Sequence, residues 1–298
     1  MKIAVIIAVH DRLELTRRCL DCLSHSQTVH DLEIIVIDDG STDDTEAWIS
    51  GNRPEVTILK GDGNLWFGGA TQMGIDYVLN SKNPADYILT LNNDTFPNPG
   101  AIDTMVAFSD ACTVVAAAYH EEDTGRETSS GFLWNFKRGL IGLTETPLWS
   151  SSLTSSIEVD AVATTATLIP SNLLARVKSI SLRLHPHNRY DALLSAHLRD
   201  VGARFIVPKE LLFSHLYGEG TRYVSCRQMS FFEFWKSRFS NPILVSYFPG
   251  QMHLNFFAAP NKFMGIFRCS YLLVIFITQA LVSFCNSCRI FTKKVTNR

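Results

Sequence analysis

KIAVIIAV at residues 2–9, LEIIVIDDGS at 32–41 and YILTLNND at 87–94 decide the fold. Each opens as a nearly unbroken aliphatic run without strict polar alternation, the pattern of a strand buried on both faces. The last two end in acid-bearing turns, Asp38-Asp39-Gly40-Ser41 and Asn92-Asn93-Asp94. Helical spacing fills the gaps. Asp11 is placed to cap a helix that turns Leu13, Cys19, Leu20 and Leu23 inward. Thr42–Ile49 reads as a short helix and Val56–Leu59 as a third strand, and a glycine-rich loop leads to a helix over Ala70–Leu79. This alternation predicts an α/β fold, a mostly parallel central sheet with right-handed crossovers and helices on both faces. Ligands of such sheets bind outside the carboxyl ends of the strands, so both acidic clusters should open on one edge.

Beyond residue 100 the pattern loosens. Glu121–Ser156 reads as loops with short strands. Val159–Pro170 then reads as a strand, Ser171–Val177 and Tyr190–Val201 as helices, Arg204–Val207 as a strand and Phe231–Phe239 as an aromatic helix. The expected organisation is one α/β unit over 1–240, in two halves at 1–100 and 101–240, followed by a helical segment at 241–298.

The 298 residues suffice for one large domain, and 46% hydrophobic with 19% charged is a globular composition. A formal net charge of −2 creates no global field for nucleic acid. The seven cysteines include two CxxC pairs, Cys19/Cys22 and Cys285/Cys288, but each pair sits in a continuous apolar pattern rather than on turns. Buried reduced thiols in a cytosolic protein are therefore expected, not a zinc site. Met1–Val9 is too short an apolar run for a signal peptide, and Asp11 and Arg12 follow at once.

The turn at Asp38-Asp39-Gly40-Ser41 suits a nucleoside, whose N–H and ribose hydroxyls a carboxylate accepts; it equally suits a plain helix start capped by Ser41 or Thr42. Asp94 suits a hard divalent cation, Mg²⁺ or Mn²⁺, completed by phosphate oxygens; it equally suits a polar turn before Pro97 and Pro99. The glycines at 61–69 do not spell GxGxxG, and no Walker loop is present, which argues against dehydrogenases and P-loop enzymes. His10-Asp11-Arg12 lacks the glycine-rich loop of nucleotidyltransferases, and receiver-like domains do not need this second half.

IIAVHDR at 6–12, IDDGST at 37–42, NLWFGG at 64–69 with Gly74, and LNND at 91–94 occur in order. So do Val159-Asp160 before Leu168-Ile169-Pro170, and PHNRYD at 186–191 with Ser195 and Gly202. Together, over residues 1–240, they resemble family 2 glycosyltransferases of the GT-A fold, a Rossmann-like arrangement, and most of all the bacterial surface-polysaccharide, rhamnosyltransferase-like branch. The resemblance implies inverting transfer from a nucleotide-diphosphate sugar to a glycan or lipid-linked hydroxyl, and makes 1–240 the catalytic domain, with a nucleotide-sugar-binding half at 1–100 and an acceptor and catalytic half at 101–240. It assigns Asp191 as general base and Asp94 with His215 to a divalent metal. It assigns Asp38, Asp39, Asn64, Trp66, Gly69, Asn93 and His187 to the nucleotide sugar, Trp66 or Phe67 stacking on base or sugar. Three positions depart from the pattern: Asn93 stands where the metal motif usually has an acid, Leu193 where a second acid follows the base, and His197 where an arginine does. These departures leave open a second reading, a non-catalytic relative that binds nucleotide sugar or scaffolds polysaccharide assembly.

Cys269–Cys288 holds no charged residue, and the last ten residues carry four basic residues and no acid. Twenty helical residues reach about 30 Å, enough to cross a bilayer core. Ser270, Thr278, Gln279, Ser283, Asn286 and Ser287 keep the run only moderately apolar, so spanning, lying in the interface and packing on the domain all remain. Contact with the inner face of the cell membrane is the favoured expectation, since basic flanks suit anionic lipid.

Overall fold

The computed structural model describes residues 1–135, 137, 139–142, 154–177, 180, 182, 187, 189–216, 231–239, 248–257, 259 and 261–296. The chain opens as β1 (Lys2–Val9), α1 (Leu13–Ser24), β2 (Asp31–Asp38), α2 (Thr45–Asn52), β3 (Thr57–Lys60), α3 (Trp66–Leu79) and β4 (Tyr87–Asn92). Next come β5 (Thr95–Pro97), α4 (Ala101–Phe108), β6 (Thr113–Ala116), β7 (Ala118–Glu121), β8 (Glu127–Ser129), β9 (Gly131–Asn135) and β10 (Gly139–Gly142). The second half adds β11 (Ser156–Val159), β12 (Ala161–Val162), β13 (Ala166–Pro170), α5 (Ser171–Leu174), α6 (Tyr190–Asp200), β14 (Arg204–Pro208) and β15 (Leu211–His215). Three helices close it: α7 (Phe231–Phe239), α8 (Phe248–Phe257) and α9 (Lys262–Thr296).

Eight strands form the central sheet in the order β11-β14-β6-β13-β4-β1-β2-β3. β3, β2, β1 and β4 are parallel neighbours, β13 runs against both β4 and β6, and β14 is again parallel to β6. Successive side chains of β1 leave opposite faces. Ile3, Val5, Ile7 and Val9 pack with Leu20 and Leu23 of α1, Ile49 of α2 and Met105 of α4. Ala4 and Ile6 pack with Ile75 and Val78 of α3 and with Leu193, Leu194 and Leu198 of α6. The mixed α/β architecture is that of the GT-A fold. Gly74 sets how closely α3 lies on the sheet, because a Cβ there would sit 2.6 Å from Ile6 Cγ2 and 2.8 Å from Ile37 Cδ1.

Register puts the site at one edge. Val9 stands opposite Asp38 and Ala8 opposite Asn92, so β1, β2 and β4 end level, with both acidic turns just beyond. Two small sheets frame that edge, β5-β15-β7-β8 and β10-β9-β12.

Several local expectations are corrected. Asp11 does not cap α1; it is left-handed at φ 57°, and its Oδ1 accepts from the Thr42 N–H at 2.7 Å. Asp43, from the neighbouring loop, accepts the Leu13 N–H at 2.7 Å instead. α3 begins at Trp66 rather than Ala70, so Gly68 and Gly69 lie inside the helix and not in a loop. The run 159–170 is not one strand. It breaks at Asp160, whose Oδ2 accepts the Trp134 N–H at 2.6 Å, and again after Val162. α7 packs on α9 through Trp235, Phe239 and Phe276.

Candidate active site

A cleft of about 450 Å³ opens where β1, β2 and β4 end. Asp39, Trp66, Asn93, Asp94 and His187 line it, together with His10, Arg12, Phe67 and Asn92.

Asp39 organises one wall. Its Oδ1 accepts the backbone N–H groups of Gly63 at 2.9 Å and Leu65 at 3.2 Å, and its Oδ2 accepts that of Trp66 at 2.8 Å. One carboxylate thus gathers N–H groups at the start of α3, where orphan donors need a partner. Gly61 must be glycine, since a Cβ there would lie 2.4 Å from Asp39 Oδ1. Gly40 also passes close, its notional Cβ 3.0 Å from Gly63 Cα at φ +76°. Asp38 is used differently. Its Oδ1 accepts the Ser41 N–H at 2.8 Å, and it is not among the cleft residues. Asn64 bonds only to Asp62 among the contacts described, and Gly69 serves packing against Leu65.

Trp66 carries strain. A non-glycine residue at φ 55° is uncommon, and an aromatic there is an outlier of the kind that clusters at functional sites. The residue is 43% exposed, and its ring meets the His187 ring at 5.8 Å, tilted by 59°. Burial holds the His187 imidazole below its ordinary value, so it is neutral at pH 7.

Asp94 forms the opposite wall. Its Oδ2 accepts from Arg12 Nη1 at 3.2 Å, and its Oδ1 lies 3.7 Å from His215 Nδ1, which bonds Thr95 Oγ1 at 2.9 Å. Asn93 lines the cleft but donates its Nδ2 to Thr16 Oγ1 of α1 at 3.1 Å, so the departure from an acid there is absorbed by a buried bond. Two polar atoms on the cleft, Asn92 Oδ1 and His187 Nδ1, are buried with no hydrogen-bond partner among the described residues. Buried polar groups are almost always paired, and these two fit a cleft awaiting a polar ligand.

Among the described residues no three His, Cys, Asp or Glu side chains converge on a metal site. One hard carboxylate at the mouth of the cleft nonetheless fits Mg²⁺ or Mn²⁺, which take one or two carboxylates and complete their shell with phosphate oxygens and water. The donor set therefore fits a metal that enters with a diphosphate, not one held by the protein alone.

Asp191 sits in the first turn of α6, preceded by Arg189 at φ 72°. The Thr164 hydroxyl and N–H both donate to its Oδ1. The neighbouring Thr165 carbonyl accepts the Asn92 N–H at 2.8 Å, so Asp191 hangs one loop behind the cleft rather than in its lining. α6 is locked in place by Ser195 Oγ, which bonds both backbone groups of Val162, and by Tyr190, whose hydroxyl donates to Gln72 of α3 at 3.0 Å. The helix dipole alone would favour an ionised Asp191, but burial prevails and raises its carboxyl, with the Thr164 bonds pulling partly back. A raised carboxyl is a stronger base. Leu193 is fully buried in the core and His197 is half-buried, both on the same helix.

His10, Arg12 and Asn92 were not assigned roles from sequence. The signal was available, because they occupy the ends of β1 and β4 on the very edge where ligands bind.

The family model for glycosyl transferase family 2 matches residues 4–154, half of the chain. No curated protein matches the sequence. Among solved structures, S. aureus TarS superposes with a TM-score of 0.59 at 13% identity, covering 89% of this chain and 41% of that one. TarS 1–349 in complex with UDP-GlcNAc gives 0.55 at 15% identity, covering 91% and 72%, and TarS 1–349 gives 0.55 at 13%, covering 100% and 92%. At these identities the likeness is one of fold. The chain spans about two fifths of the longest TarS chain.

Proposed function

The chain belongs to glycosyl transferase family 2, and from that premise we propose that it moves a sugar from a nucleotide-diphosphate donor to a hydroxyl of a glycan or lipid-linked acceptor, with inversion. The observation that carries this reading is the cleft at the shared strand edge, which joins Asp94, the exposed face of Trp66 and two unpartnered buried polar atoms. The nucleoside lies on the Asp39 side, against the loop that Asp39 holds. The diphosphate lies towards Asp94 and Arg12, and the guanidinium moves from the carboxylate to phosphate oxygens. Asp94 would hold a divalent ion that enters with the donor, and that ion would supply charge neutralisation for the departing diphosphate. Asp191 accepts the acceptor's hydroxyl proton as that oxygen attacks the anomeric carbon. Donors to test first are UDP-GlcNAc, the ligand of the TarS complex, and thymidine diphosphate-rhamnose, from the branch the motifs resemble.

Calorimetry with nucleoside diphosphates, with and without Mg²⁺ or Mn²⁺, tests the placement. Nucleotide should bind tighter with metal, and metal alone should bind weakly, because the protein supplies one carboxylate. Asp94→Ala should remove the metal-dependent increment while leaving metal-free binding in place. Equal binding by parent and variant under both conditions would put the diphosphate elsewhere. Tight nucleotide-sugar binding without turnover of any donor would favour the scaffold reading.

A further inference from the structure

The C-terminal helices invert the usual distribution of polarity. Phe263, Ile266, Phe267, Val274, Ile277 and Leu281 recur at helical spacing along one side of α9, and all are exposed. The polar residues face the other way. Arg268 is 5% exposed, and its Nε donates to Asn255 Oδ1 at 3.0 Å and its Nη1 to the Lys137 carbonyl. Ser283 is fully enclosed, and Gln279 accepts from Arg238 of α7 at 3.2 Å. The exposed Ser270 and Thr278 fold their hydroxyls back on their own helix, Ser270 donating to the Ile266 carbonyl at 3.0 Å and Thr278 to that of Val274 at 2.9 Å, and the exposed Tyr271 joins a phenol, polar only at its tip, to the same side. Gly265 lets α9 close on α8, where a Cβ would meet the Phe256 carbonyl at 2.7 Å. Water would reward the opposite arrangement. A hydrocarbon environment demands this one, since it solvates no polar group left unpaired.

Charge distinguishes lipid from a protein partner and fixes the orientation. Residues 262–298 carry six basic side chains and no acidic one, within a chain of formal net charge −2. The basic residues flank the uncharged run Cys269–Cys288, Lys262 and Arg268 before it and Arg289, Lys293, Lys294 and Arg298 after it. Beside its middle, α7 presents exposed Phe232, Trp235 and Phe239 together with exposed Lys236. A crossing α9 would carry Lys236 to mid-membrane depth, where a charge is costly. A helix lying flat keeps every cation at headgroup level.

We infer that α7 and α9 form a single apolar face that lies in the surface of an anionic bilayer, the α9 axis parallel to the membrane plane. The run Lys262–Phe284, 23 residues and about 35 Å long, is then a keel along the membrane rather than a span across it.

The test uses the full chain and vesicles of phosphatidylcholine, alone or mixed with phosphatidylglycerol. The protein should float with the mixed vesicles and much less with the neutral ones, and alkaline carbonate should extract it. Ile277→Asp/Leu281→Asp should remain in the bottom fraction while keeping the parent's circular dichroism and nucleoside diphosphate affinity, which separates this inference from the donor reading. A parent that stays monomeric and unbound to either vesicle overturns it. So does a discrete oligomer that the double variant converts to monomers, which would mean that a second copy covers the face. Resistance to carbonate would mean a spanning helix and overturns the flat orientation.

Discussion

In the central sheet Ile35, Val36 and Ile37 are wholly enclosed, while in α9 Phe263, Ile277 and Leu281 stand in the open and Arg268 and Ser283 are enclosed. Both regions are helical or stranded throughout and both are rich in aliphatic and aromatic residues. What differs is where the enclosing matter comes from. β2 is covered on one face by α1 and α2 and on the other by α3, so the chain supplies its own apolar surroundings. α9 is covered on its polar side by α7, α8 and the turn at Lys137, and leaves its apolar side to whatever it meets. Hydrophobicity alone does not reveal this; the direction in which the few polar side chains point does.

Inserting the same charge in both regions tests the contrast most severely. Ile35→Asp buries an unpaired carboxylate in the sheet and should cost more than about 4–5 kcal/mol, the range reserved for such defects. With total stability typically of about 5–15 kcal/mol, the chain should fail to fold or melt far below the parent. Ile277→Asp in detergent solution should shift the sheet's stability by less than about 0.5 kcal/mol, as a surface change does. Equal losses in thermal or urea unfolding would show that Ile277 is enclosed in the folded chain, and the contrast would collapse.

The catalytic assignment gives the next largest effect. Asp191→Asn keeps the shape and the oxygen that Thr164 bonds but removes the proton-accepting charge. Transfer should fall by about 10²–10⁴-fold, the usual contribution of a general base, with donor affinity unchanged. A normal rate would move the base elsewhere and return Asp191 to a structural role.

How far these two regions were legible in sequence follows from the same physics. β1, β2 and β4 were read to within a residue or so because strands buried on both faces leave no polar residue to confuse their limits. The edge on which Asp39 and Asp94 meet followed from topology alone. The small sheet of β5, β15, β7 and β8 was not placed beyond an expectation of short strands after Glu121, since strands of three to five residues carry too short a pattern. Two glycines hid the first turn of α3, which is set not by propensity but by Asp39 collecting N–H groups from a distant loop. Asp38 and Asp39 look alike in sequence, yet one ties its own turn while the other faces the cleft, and only the backbone's path separates them. For α9, length and basic flanks were readable, but the inward turn of Arg268 was not.

The smallest effect is a pH dependence confined to the sheet region. Burial raises the Asp191 carboxyl above its unfolded value, so the fold prefers it protonated. Its favourable contribution is complete below the unfolded value, near 4 for an aspartate, and is lost as pH rises through the folded one. At pH 7, well above the unfolded value, the parent therefore bears the cost that burial places on this carboxyl. Asp191→Asn bears none. The inactive variant should thus be more stable than the parent at pH 7–8, and urea midpoints measured downwards from there should converge as the parent takes up its proton. A variant weaker by about 1 kcal/mol at every pH would instead mean that the charge stabilises the start of α6 as a cap does, with burial of little account. Arg268→Met supplies the control from the other region. Burial lowers that guanidinium as well, but an arginine starts so far above neutrality that it stays charged throughout, and its loss should cost the same at pH 5 as at pH 8.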